Sequence, residues 1–443
     1  MLRKLINLAL PIMAANFLQT LYNLVDSYFL GKLGKEALAA PSIAFTIILF
    51  LIIFAGGFAN AGTTLISQAR GAGNQERVDF YLGQLVTAMT LLSFVLGFIG
   101  YITVDPLLRL LQTPEGATFI YTSQYLKIIF AGVPMMFMMF IFRAALQGVG
   151  DGITPLVIQV VTVFLNVFLD WILIFGIGPF PRWEVQGAAA ATVAARSVAS
   201  LIGLFILLRG TRHIRLKLST LKPDKEALKL LFRIGMPSSL GQGVSALGFT
   251  VLQGVVNGLG PAVIAAFGIG NRIIALFNMP AQGLCQATAV LVGQNLGSGS
   301  TARAREVVSH GVRMIVIFIT LGMTLTFFKG ASVIHFFITD PEVTEIGVVM
   351  FRILSPSVIF FSLYTVLLGA FQGGGDAKPP MVLNIIRLWG LRVPLAYLMI
   401  LVLGMGALGL WWAMFVSNLV VAAAAWILYE TNRWSRALDP QAL

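Results

Sequence analysis

The sequence has few of the residues on which metal centres and disulfide-rich folds depend. Its 443 residues include one cysteine, Cys285, and three histidines. A single cysteine excludes an internal disulfide framework and a CxxC metal site, so Cys285 is interpreted as a small buried hydrophobic residue. The three histidines are far apart and do not match the spacing of metal ligands, so no metal centre of the histidine or cysteine type is expected.

Signatures of nucleotide and nucleic-acid binding are also missing. No G-x-x-x-x-G-K-[ST] motif occurs, so ATP hydrolysis is not supported. Two Gln-Gly-x-Gly-Asp segments, at 147–151 and 372–376, follow no predicted strand and are interpreted as tight turns rather than phosphate loops. The net charge is +12, but the basic residues form no patch with interleaved aromatic residues, so nucleic-acid binding is not expected.

Charged residues are scarce and hydrophobic residues abundant, which is typical of an integral membrane protein. Charged residues make up 11% of the chain and hydrophobic residues 58%, and the mean hydropathy is +0.88. Stretches of roughly 20 apolar residues, the length that crosses a bilayer, recur along the chain. The first is too long for a signal-peptide core and is interpreted as a retained span. The twelve predicted spans are 5–30, 41–65, 81–104, 118–142, 155–177, 185–208, 230–257, 268–293, 308–328, 345–370, 380–403 and 406–429.

The distribution of lysine and arginine predicts the orientation of these spans. With Met1 in the cytoplasm, 19 of the 30 basic residues lie in the inner segments or at the inner ends of the adjoining spans, and 5 lie in the outer segments. Because cytoplasmic loops are rich in lysine and arginine, both termini are predicted to lie inside the cell, in a multi-pass protein of the cytoplasmic (inner) membrane. The basic segment 209–229 is interpreted as an orientation signal and a contact for anionic lipid headgroups.

An internal repeat divides the chain into two halves of six spans each. At an offset of 226, Pro11 matches Pro237, and the two Gln-Gly-x-Gly-Asp segments match at an offset of 225. Six is an even number, so the two copies run in the same direction. We predict an all-α polytopic membrane protein with twelve transmembrane helices in two pseudo-symmetric six-helix bundles, at 1–208 and 230–443, joined by a cytoplasmic linker at 209–229.

Two acidic residues within the predicted spans mark a candidate ion site. Asp26 and Asp170 would each cost roughly 2.5 to 3.5 kcal/mol at a helix centre, so each is a functional hypothesis. Helical periodicity places further polar residues on the same two faces. These are Gln19, Tyr22 and Asn23 beside Asp26, and Thr162 and Asn166 beside Asp170.

Thr192 of span 6 is predicted to complete this site. Counted from the outer ends of their spans, Asp26, Asp170 and Thr192 lie about 8 to 12 Å below the outer surface, at 1.5 Å per residue. Two carboxylates, the amide oxygen of Asn166 and a hydroxyl form an all-oxygen cluster, which suits a hard cation such as Na⁺ or a shared proton.

Structural alternatives exist for two features of this site. The aspartates could be satisfied groups paired with Arg196, but their repeat counterparts are Leu252 and Leu395, so the fold does not need acids there. Pro11 removes a backbone hydrogen bond in span 1. It either permits a kink that responds to the charge of Asp26 or is tolerated for packing.

The second half offers neutral amides and arginines instead of acids. The amides are candidates for cavity lining, and the arginines either snorkel or bind helix-end carbonyls. Because these arginines are positively charged, their presence in the spans argues against a strict requirement for a cationic substrate. The amides are Gln242, Gln253, Asn278, Gln282 and Gln286, and the arginines are Arg272, Arg387 and Arg392.

These segments resemble the multidrug and toxic compound extrusion (MATE) transporters, which have two six-helix bundles. The resemblance covers nearly the whole chain. It rests on Leu21-Tyr22-Asn23-Leu24-Val25-Asp26 followed by Leu33-Gly34, on Val292-Gly293-Gln294-Asn295-Leu296-Gly297, and on the two Gln-Gly-x-Gly-Asp segments.

The resemblance is closest to the branch related to the DNA-damage-inducible protein DinF. It implies that Asp26, Asn166, Asp170 and Thr192 form a cation site in the N-terminal lobe. It also implies efflux of amphipathic, often cationic, organic compounds in exchange for H⁺ or Na⁺. Another branch places acids in spans 7 and 10, where this sequence has no carboxylate apart from Glu345 at the first position of span 10. We expect a monomer in the bilayer, with small organic substrates and no cofactor besides the coupling ion.

Three alternative functions are considered. A flippase for lipid-linked saccharides shares this architecture and would need a cationic cavity for pyrophosphate, which Arg272, Arg387 and Arg392 keep open. A channel is less favoured, because the sequence has a twofold repeat without a filter-like segment. A membrane scaffold would have no reason to place two aspartates in lipid at matched depth. No enzymatic activity is expected.

Overall fold

The computed structural model describes residues 1–211, 213–435 and 438, with the backbone alone at residues 35 and 36. Arg212 and Arg436, which belong to the predicted inner basic residues, lie outside the described residues, as do residues 439–443 of the predicted cytoplasmic terminus. The described chain consists of helices joined by short turns. Helices satisfy the backbone N–H and C=O groups within each segment, as hydrocarbon surroundings require.

Fourteen α-helices occur in this described part of the chain. Those of the first half are α1 Leu2–Gly31, α2 Lys35–Gly71, α3 Gln75–Leu110, α4 Ala117–Ala131, α5 Val133–Gly148, α6 Ile153–Phe175 and α7 Glu184–Arg209. Those of the second half are α8 Lys225–Asn257, α9 Pro261–Gly297, α10 Thr301–His335, α11 Pro341–Gly374, α12 Lys378–Ile385, α13 Val393–Tyr397 and α14 Gly406–Glu430. Two π-helical segments, Ile386–Arg392 and Leu398–Val402, continue α12 and α13 into one span.

Eleven helical segments among the described residues are long and apolar enough to cross a membrane, and the number is twelve when the bent pair α4 and α5 counts as one span. The prediction of twelve transmembrane helices is confirmed on that count. Predicted span 4, residues 118–142, differs from the structure because α4 and α5 are bent by 51° at Gly132. Pro134 has no N–H with which to continue the hydrogen bonding of α4.

Most of the helices are longer than the predicted spans. α2 continues to Gly71 and α9 to Gly297, past residues 65 and 293 where the predicted spans end. Hydropathy falls where polar residues begin, whereas helical hydrogen bonding continues until a turn interrupts it. Side-chain caps fix some starts, as at α3, where the Asn74 side chain accepts from the N–H of Arg77 at 3.1 Å.

The repeat is visible in the backbone as well as in the sequence. Gly34 precedes α2 and Gly260 precedes α9, and their φ angles are 127° and 102°. Residues with a side chain rarely adopt this region, so both copies use glycine to begin their second helix. The same turn therefore starts the second span of each half.

The two Gln-Gly-x-Gly-Asp segments form equivalent turns. The N–H of Asp151 donates to the Leu146 carbonyl at 2.8 Å, and the N–H of Asp376 donates to the Phe371 carbonyl at 3.0 Å. Each segment follows a helix, α5 in the first half and α11 in the second, and not a strand. The interpretation of these segments as tight turns is confirmed.

Two compact units make up the structure. One consists of Leu10–Ser239, and the other of Met1–Ala9 with Leu240–Leu443. Both divisions therefore fall inside helices, α1 in one case and α8 in the other. A proline lies within two residues of each division, Pro11 in α1 and Pro237 in α8.

The basic connector between the halves is held against α3 within the Leu10–Ser239 unit. The carboxylate of Asp79 accepts from the backbone N–H of Arg215 at 2.9 Å and forms an ion pair with Lys217 at 3.0 Å. The side chain of Gln84 donates to the Thr220 carbonyl at 2.9 Å. Asp79 and Gln84 are both buried, so these bonds tie the connector to the interior of the unit.

Replacing Gly373 by alanine is expected to destabilise the fold. A Cβ atom at residue 373 would lie 2.4 Å from the carbonyl oxygen of Ala289, and a backbone atom cannot move aside as a flexible side chain can. Overpacking of this kind costs about 1 to 3 kcal/mol, so the midpoint of thermal unfolding in detergent should fall by several degrees.

Gly254→Ala is the matched control for this change. Residue 254 is exposed on α8, and nothing lies within 4 Å of the added Cβ. Alanine favours the helix more than glycine does, so the midpoint of this variant should be unchanged or higher. Equal midpoints for the two variants would contradict the close packing of α9 and α11.

Candidate functional site

Helices α1 and α7 position the first part of the candidate site. Tyr22 and Asp26 lie one turn apart on α1, and Thr192 lies on α7. The Tyr22 hydroxyl donates to Thr192 Oγ1 at 2.9 Å, and Thr192 Oγ1 donates to Asp26 Oδ2 at 3.5 Å. Tyr22 and Thr192 are buried and Asp26 is half-buried. The structure therefore brings Asp26 and Thr192 together.

Helix α6 supplies the second part of the site. Thr162, Asn166 and Asp170 are all buried along one face of this helix. The carboxyl groups of Asp170 and Asp26 are neighbours, and Asn166 lies alongside Asp170, although no hydrogen bond of normal geometry joins the two carboxyls. Asp26, Asn166, Asp170 and Thr192 thus form one group.

Several polar atoms of this group have no hydrogen-bond partner in the described residues. They are Asp26 Oδ1, both carboxylate oxygens of Asp170, and both the oxygen and the nitrogen of the Asn166 amide. Each buried polar atom without a partner costs about 1 to 3 kcal/mol. Oxygen atoms of this kind are the ligands of hard cations, and adjacent carboxyls can share a proton. The residues therefore fit either a bound cation or a shared proton.

Arg196 contacts the site through an aromatic ring. Its guanidinium carbon lies 5.7 Å from the centre of the Tyr22 ring, a cation–π arrangement. Both oxygens of Asp170 lack hydrogen-bond partners among the described residues, so Arg196 does not neutralise that carboxylate by direct contact. Within the residues that the structure describes, the carboxyl pair has no bonded counterion.

The polar face of α1 continues beyond the four central residues. Gln19 donates to Asn23 at 3.5 Å, where Asn23 is exposed. Gln19 also accepts from Gln159 of α6 at 3.3 Å, and Arg143 of α5 donates to Asn16 at 3.4 Å.

Gln159 and Arg143 were not predicted as parts of this site, for different reasons. Gln159 is buried three residues before Thr162, so the helical spacing of α6 could have identified it. Arg143 lies within α5, although the predicted end of span 4 placed it in an inner loop. Pro11 lies within α1, which is continuous from Leu2 to Gly31.

The equivalent positions in the second half are apolar. Leu252, the counterpart of Asp26, is 1% exposed and belongs to a hydrophobic cluster with Phe267 and Trp411. Leu395, the counterpart of Asp170, packs against the same cluster. The fold therefore tolerates apolar residues at both positions, and the carboxylates are a property of the first half alone.

The predicted amides of the second half do not form one group. Gln253 donates to Asn257 at 3.0 Å, and both are exposed. No hydrogen bond links Asn278, Gln282 and Gln286 to one another among the described residues. Asn278 and Gln286 are half-buried, and Gln282 is exposed. The remaining predicted residue, Gln242, lies on α8.

The arginines of the second half have different surroundings. Arg272 is exposed on α9, whereas Arg387 and Arg392 are buried, at 4% and 2% exposure, on the first π-helical segment. Arg392 donates to Ser417 at 2.9 Å and to Asn418 at 2.5 Å. The buried arginines thus contact side-chain oxygens and aromatic rings rather than helix-end carbonyls.

Membrane-crossing helices in two repeated halves, with a buried carboxyl pair in one of them, define a multi-pass membrane transport protein. The sequence model of the MatE family matches residues 11–172 and 237–398, one match in each half. The chain belongs to the MatE family of transporters and is not an enzyme. The predicted relationship to the MATE transporters is confirmed, while the DinF-like branch stays a prediction.

Curated relatives match over nearly their whole length. The chain is 31% identical to "Probable multidrug resistance protein YoeA" of Bacillus subtilis, over 90% of this chain and 87% of that one. It is 28% identical to "Probable multidrug resistance protein NorM" of Thermotoga maritima, over 98% and 93%. It is also 28% identical to "FAD transporter" of Shewanella oneidensis, over 97% and 94%.

Solved structures agree with the fold. The structure "Crystal structure of MATE in the bent conformation" superimposes with a TM-score of 0.90, over 98% of this chain and 95% of that one, at 24% identity. The straight conformation of MATE gives a TM-score of 0.89 at the same identity. At this identity the likeness establishes the arrangement of helices.

Replacing Asp170 by leucine is expected to keep or raise the stability of the protein. Leucine occupies the equivalent position 395, and the change removes a buried carboxylate that has no bonded partner among the residues described. The midpoint of thermal unfolding in detergent should be at or above that of the wild type.

Ser200→Val serves as the control. Ser200 is buried and donates to the Met135 carbonyl at 2.6 Å, so its loss should cost about 0.5 to 1.5 kcal/mol and lower the midpoint. If Asp170→Leu lowers the midpoint as much as Ser200→Val does, the aspartate has a structural role and the ion-site interpretation is wrong.

Proposed function

We propose that this chain is a secondary active efflux antiporter, which exports amphipathic, often cationic, organic compounds in exchange for H⁺ or Na⁺. The supporting observation is the group of buried oxygen atoms on Asp26, Asn166 and Asp170 that have no partner in the described part of the chain. The names of the Bacillus subtilis and Thermotoga maritima relatives, both probable multidrug resistance proteins, support the substrate class.

The coupling ion is proposed to bind between α1, α6 and α7. As Na⁺, it would be held by oxygen atoms of Asp26, Asn166, Asp170 and Thr192. As H⁺, it would be shared by the neighbouring carboxyls of Asp26 and Asp170. In both cases the bound ion neutralises the negative charge of the carboxyl pair, which has no bonded counterion among the described residues.

Coupling requires that the ion favour one conformation over another, because a ligand shifts an equilibrium only through a difference in affinity. We propose that the ion enters from outside, neutralises the carboxyl pair, and changes the shape of α1 so that substrate is released. Pro11 is the proposed point of bending, since it removes the bond that residue 11 would donate to the carbonyl of Asn7.

The proposed setting is the cytoplasmic membrane, with both termini in the cytoplasm and a monomer as the functional unit. The bias of basic residues towards the inner segments supports this orientation. A flippase for lipid-linked saccharides is not favoured, because the three relatives described above are named as drug-resistance proteins or as an FAD transporter.

Gradient-driven export should depend on Asp26. In proteoliposomes containing a fluorescent cationic dye, an imposed pH or Na⁺ gradient is expected to drive dye movement by the wild type. The amide in Asp26→Asn is always neutral, so binding of the ion cannot change the charge at this position. The transport rate of this variant should therefore fall to the rate measured without a gradient. The gradient that drives the wild type identifies the coupling ion.

Asp105→Asn is the matched control, because Asp105 is an acid of the same half that bonds to Ser123 at 2.6 Å and Lys127 at 3.1 Å, outside the candidate site. Its transport rate should remain that of the wild type. Full gradient-driven export by Asp26→Asn would refute coupling at this site.

Pro11→Ala is expected to slow export without weakening dye binding. Alanine restores the hydrogen bond to Asn7 and makes α1 harder to bend, while the residues around Asp26 stay unchanged. Transport under the driving gradient and equilibrium dye binding by fluorescence anisotropy would both be measured. Pro41→Ala, which alters a proline inside α2 of the same half, is the control. Equal transport rates for both variants would contradict a hinge at Pro11.

A further inference from the structure

The second half buries two positive charges close together. Arg387 and Arg392 are 4% and 2% exposed, and neither forms an ion pair with a carboxylate among the described residues. Both guanidinium carbons face the same ring, at 5.8 Å and 5.9 Å from the centre of Phe249. Buried charges within a membrane protein normally pair with one another or mark the path of a ligand, and two like charges cannot neutralise each other.

Arg392 is fixed by a hydrogen-bond network. It donates to Ser417 and Asn418, and Asn418 in turn donates to Ser357 at 2.9 Å. The hydroxyl of Ser417 also donates to the Met414 carbonyl at 3.0 Å. These bonds orient the guanidinium but bring no negative charge to it.

Arg387 has aromatic neighbours in place of hydrogen bonds. Its guanidinium carbon lies 4.7 Å from the centre of the Phe361 ring and 5.9 Å from the Tyr364 ring. Its Nε atom is buried without a hydrogen-bond acceptor, and the Tyr364 hydroxyl is buried without a partner as well. These two neighbouring side chains therefore each carry a hydrogen-bond donor that lacks an acceptor in the described part of the chain.

The π-helical segment explains how the two arginines come to share a side. Residues five apart in an α-helix point about 140° away from each other, at 100° per residue. Ile386–Arg392 instead forms i to i+5 hydrogen bonds, and such segments occur frequently at functional sites. The segment turns Arg387 and Arg392 towards one ring, so the local distortion of the helix creates the paired charge.

The internal repeat allows the surroundings of Arg387 to be compared with the carboxyl pair of the first half. At an offset of 225, Arg387 corresponds to Thr162 of α6, and at 226, Phe249 corresponds to Asn23 of α1. The first half thus has carboxylates on its first and fifth spans. The second half has guanidinium groups on its fifth span, next to Phe249 of its first span. The two halves thus carry opposite charges on their fifth spans, although the charged residues do not occupy equivalent positions.

We propose that Arg387, assisted by Tyr364 and Arg392, binds the phosphate or carboxylate group of an organic anion, with the apolar part of that molecule against Phe249 and Phe361. Arginine presents planar donors that match such oxyanions. Phe249, whose ring both guanidinium groups face, is 46% exposed. This inference concerns a second site and does not depend on the coupling ion.

Riboflavin and riboflavin 5′-phosphate form a suitable pair of probes, since they share a planar ring system and differ in one phosphate group. Binding to purified, delipidated protein in detergent would be followed by flavin fluorescence, without any ion gradient. The wild type should bind the phosphate form at least about tenfold more tightly than riboflavin. In Arg387→Gln the two affinities should agree within about twofold.

Arg272→Gln is the charge-matched control, because Arg272 is exposed in the same half, and it should retain the full preference for the phosphate form. Tyr364→Phe removes only the hydroxyl and should lose part of the preference. It keeps the test decisive if Arg387→Gln does not fold. Equal affinities of the wild type for the two flavins, with no bound lipid that depends on Arg387, would overturn the proposal.

The source of the oxyanion would be resolved by native mass spectrometry of protein purified without delipidation. A phospholipid retained by the wild type, absent from Arg387→Gln, and displaced by riboflavin 5′-phosphate would identify a lipid headgroup as the natural occupant. A phosphate preference without retained lipid would identify a soluble organic anion. Both results support an oxyanion site at Arg387.

Discussion

The exclusion of water from the hydrocarbon core is the constraint on which the rest of this structure depends. Backbone groups in that environment must find partners within their own segment, so the described chain is helical. Side chains face the same requirement, and most of the polar ones meet it, as Thr162 does by donating to the Ile158 carbonyl at 2.7 Å. Most of the buried side-chain atoms without a partner among the described residues lie at two places, around the carboxyl pair of the first half and around Arg387 of the second. The others belong to Thr113, Asn278, Thr288 and Ser362. Unmet polar groups are therefore the clearest indication of function in this protein.

Much of the fold could be predicted because hydropathy and repetition are strong signals. Twelve apolar stretches and the offset of 225 to 226 residues define the helices and their duplication. The ends of the helices could not be read in this way, because hydrogen bonding in α2 and α9 continues into polar sequence. The break at Gly132 was also missed, since a glycine followed by a proline two residues later occurs within an uninterrupted apolar stretch.

The two candidate sites differ in how far the sequence indicated them. Asp26, Asn166 and Asp170 follow from helical periodicity, because α1 and α6 are regular and their polar faces repeat with the α-helical period. Arg387 and Arg392 do not, since their shared direction depends on a π-helical segment that no periodicity of the sequence revealed. Gln159 could have been predicted from the helical spacing of α6. The contact of Arg143 with Asn16 could not, because it depends on where α5 ends.

The division of α1 between the two units has a consequence for synthesis of the protein. The unit Leu10–Ser239 is continuous in sequence and can assemble as soon as its last helix leaves the ribosome. The other unit combines Met1–Ala9 with residues that lie more than two hundred positions later in the sequence. One contact within it is the ion pair between the amino group of Met1 and Glu306, at 3.9 Å. Residues 1–9 are thus made long before their partners in the same unit, and until those partners are made this part of α1 lacks its native neighbours.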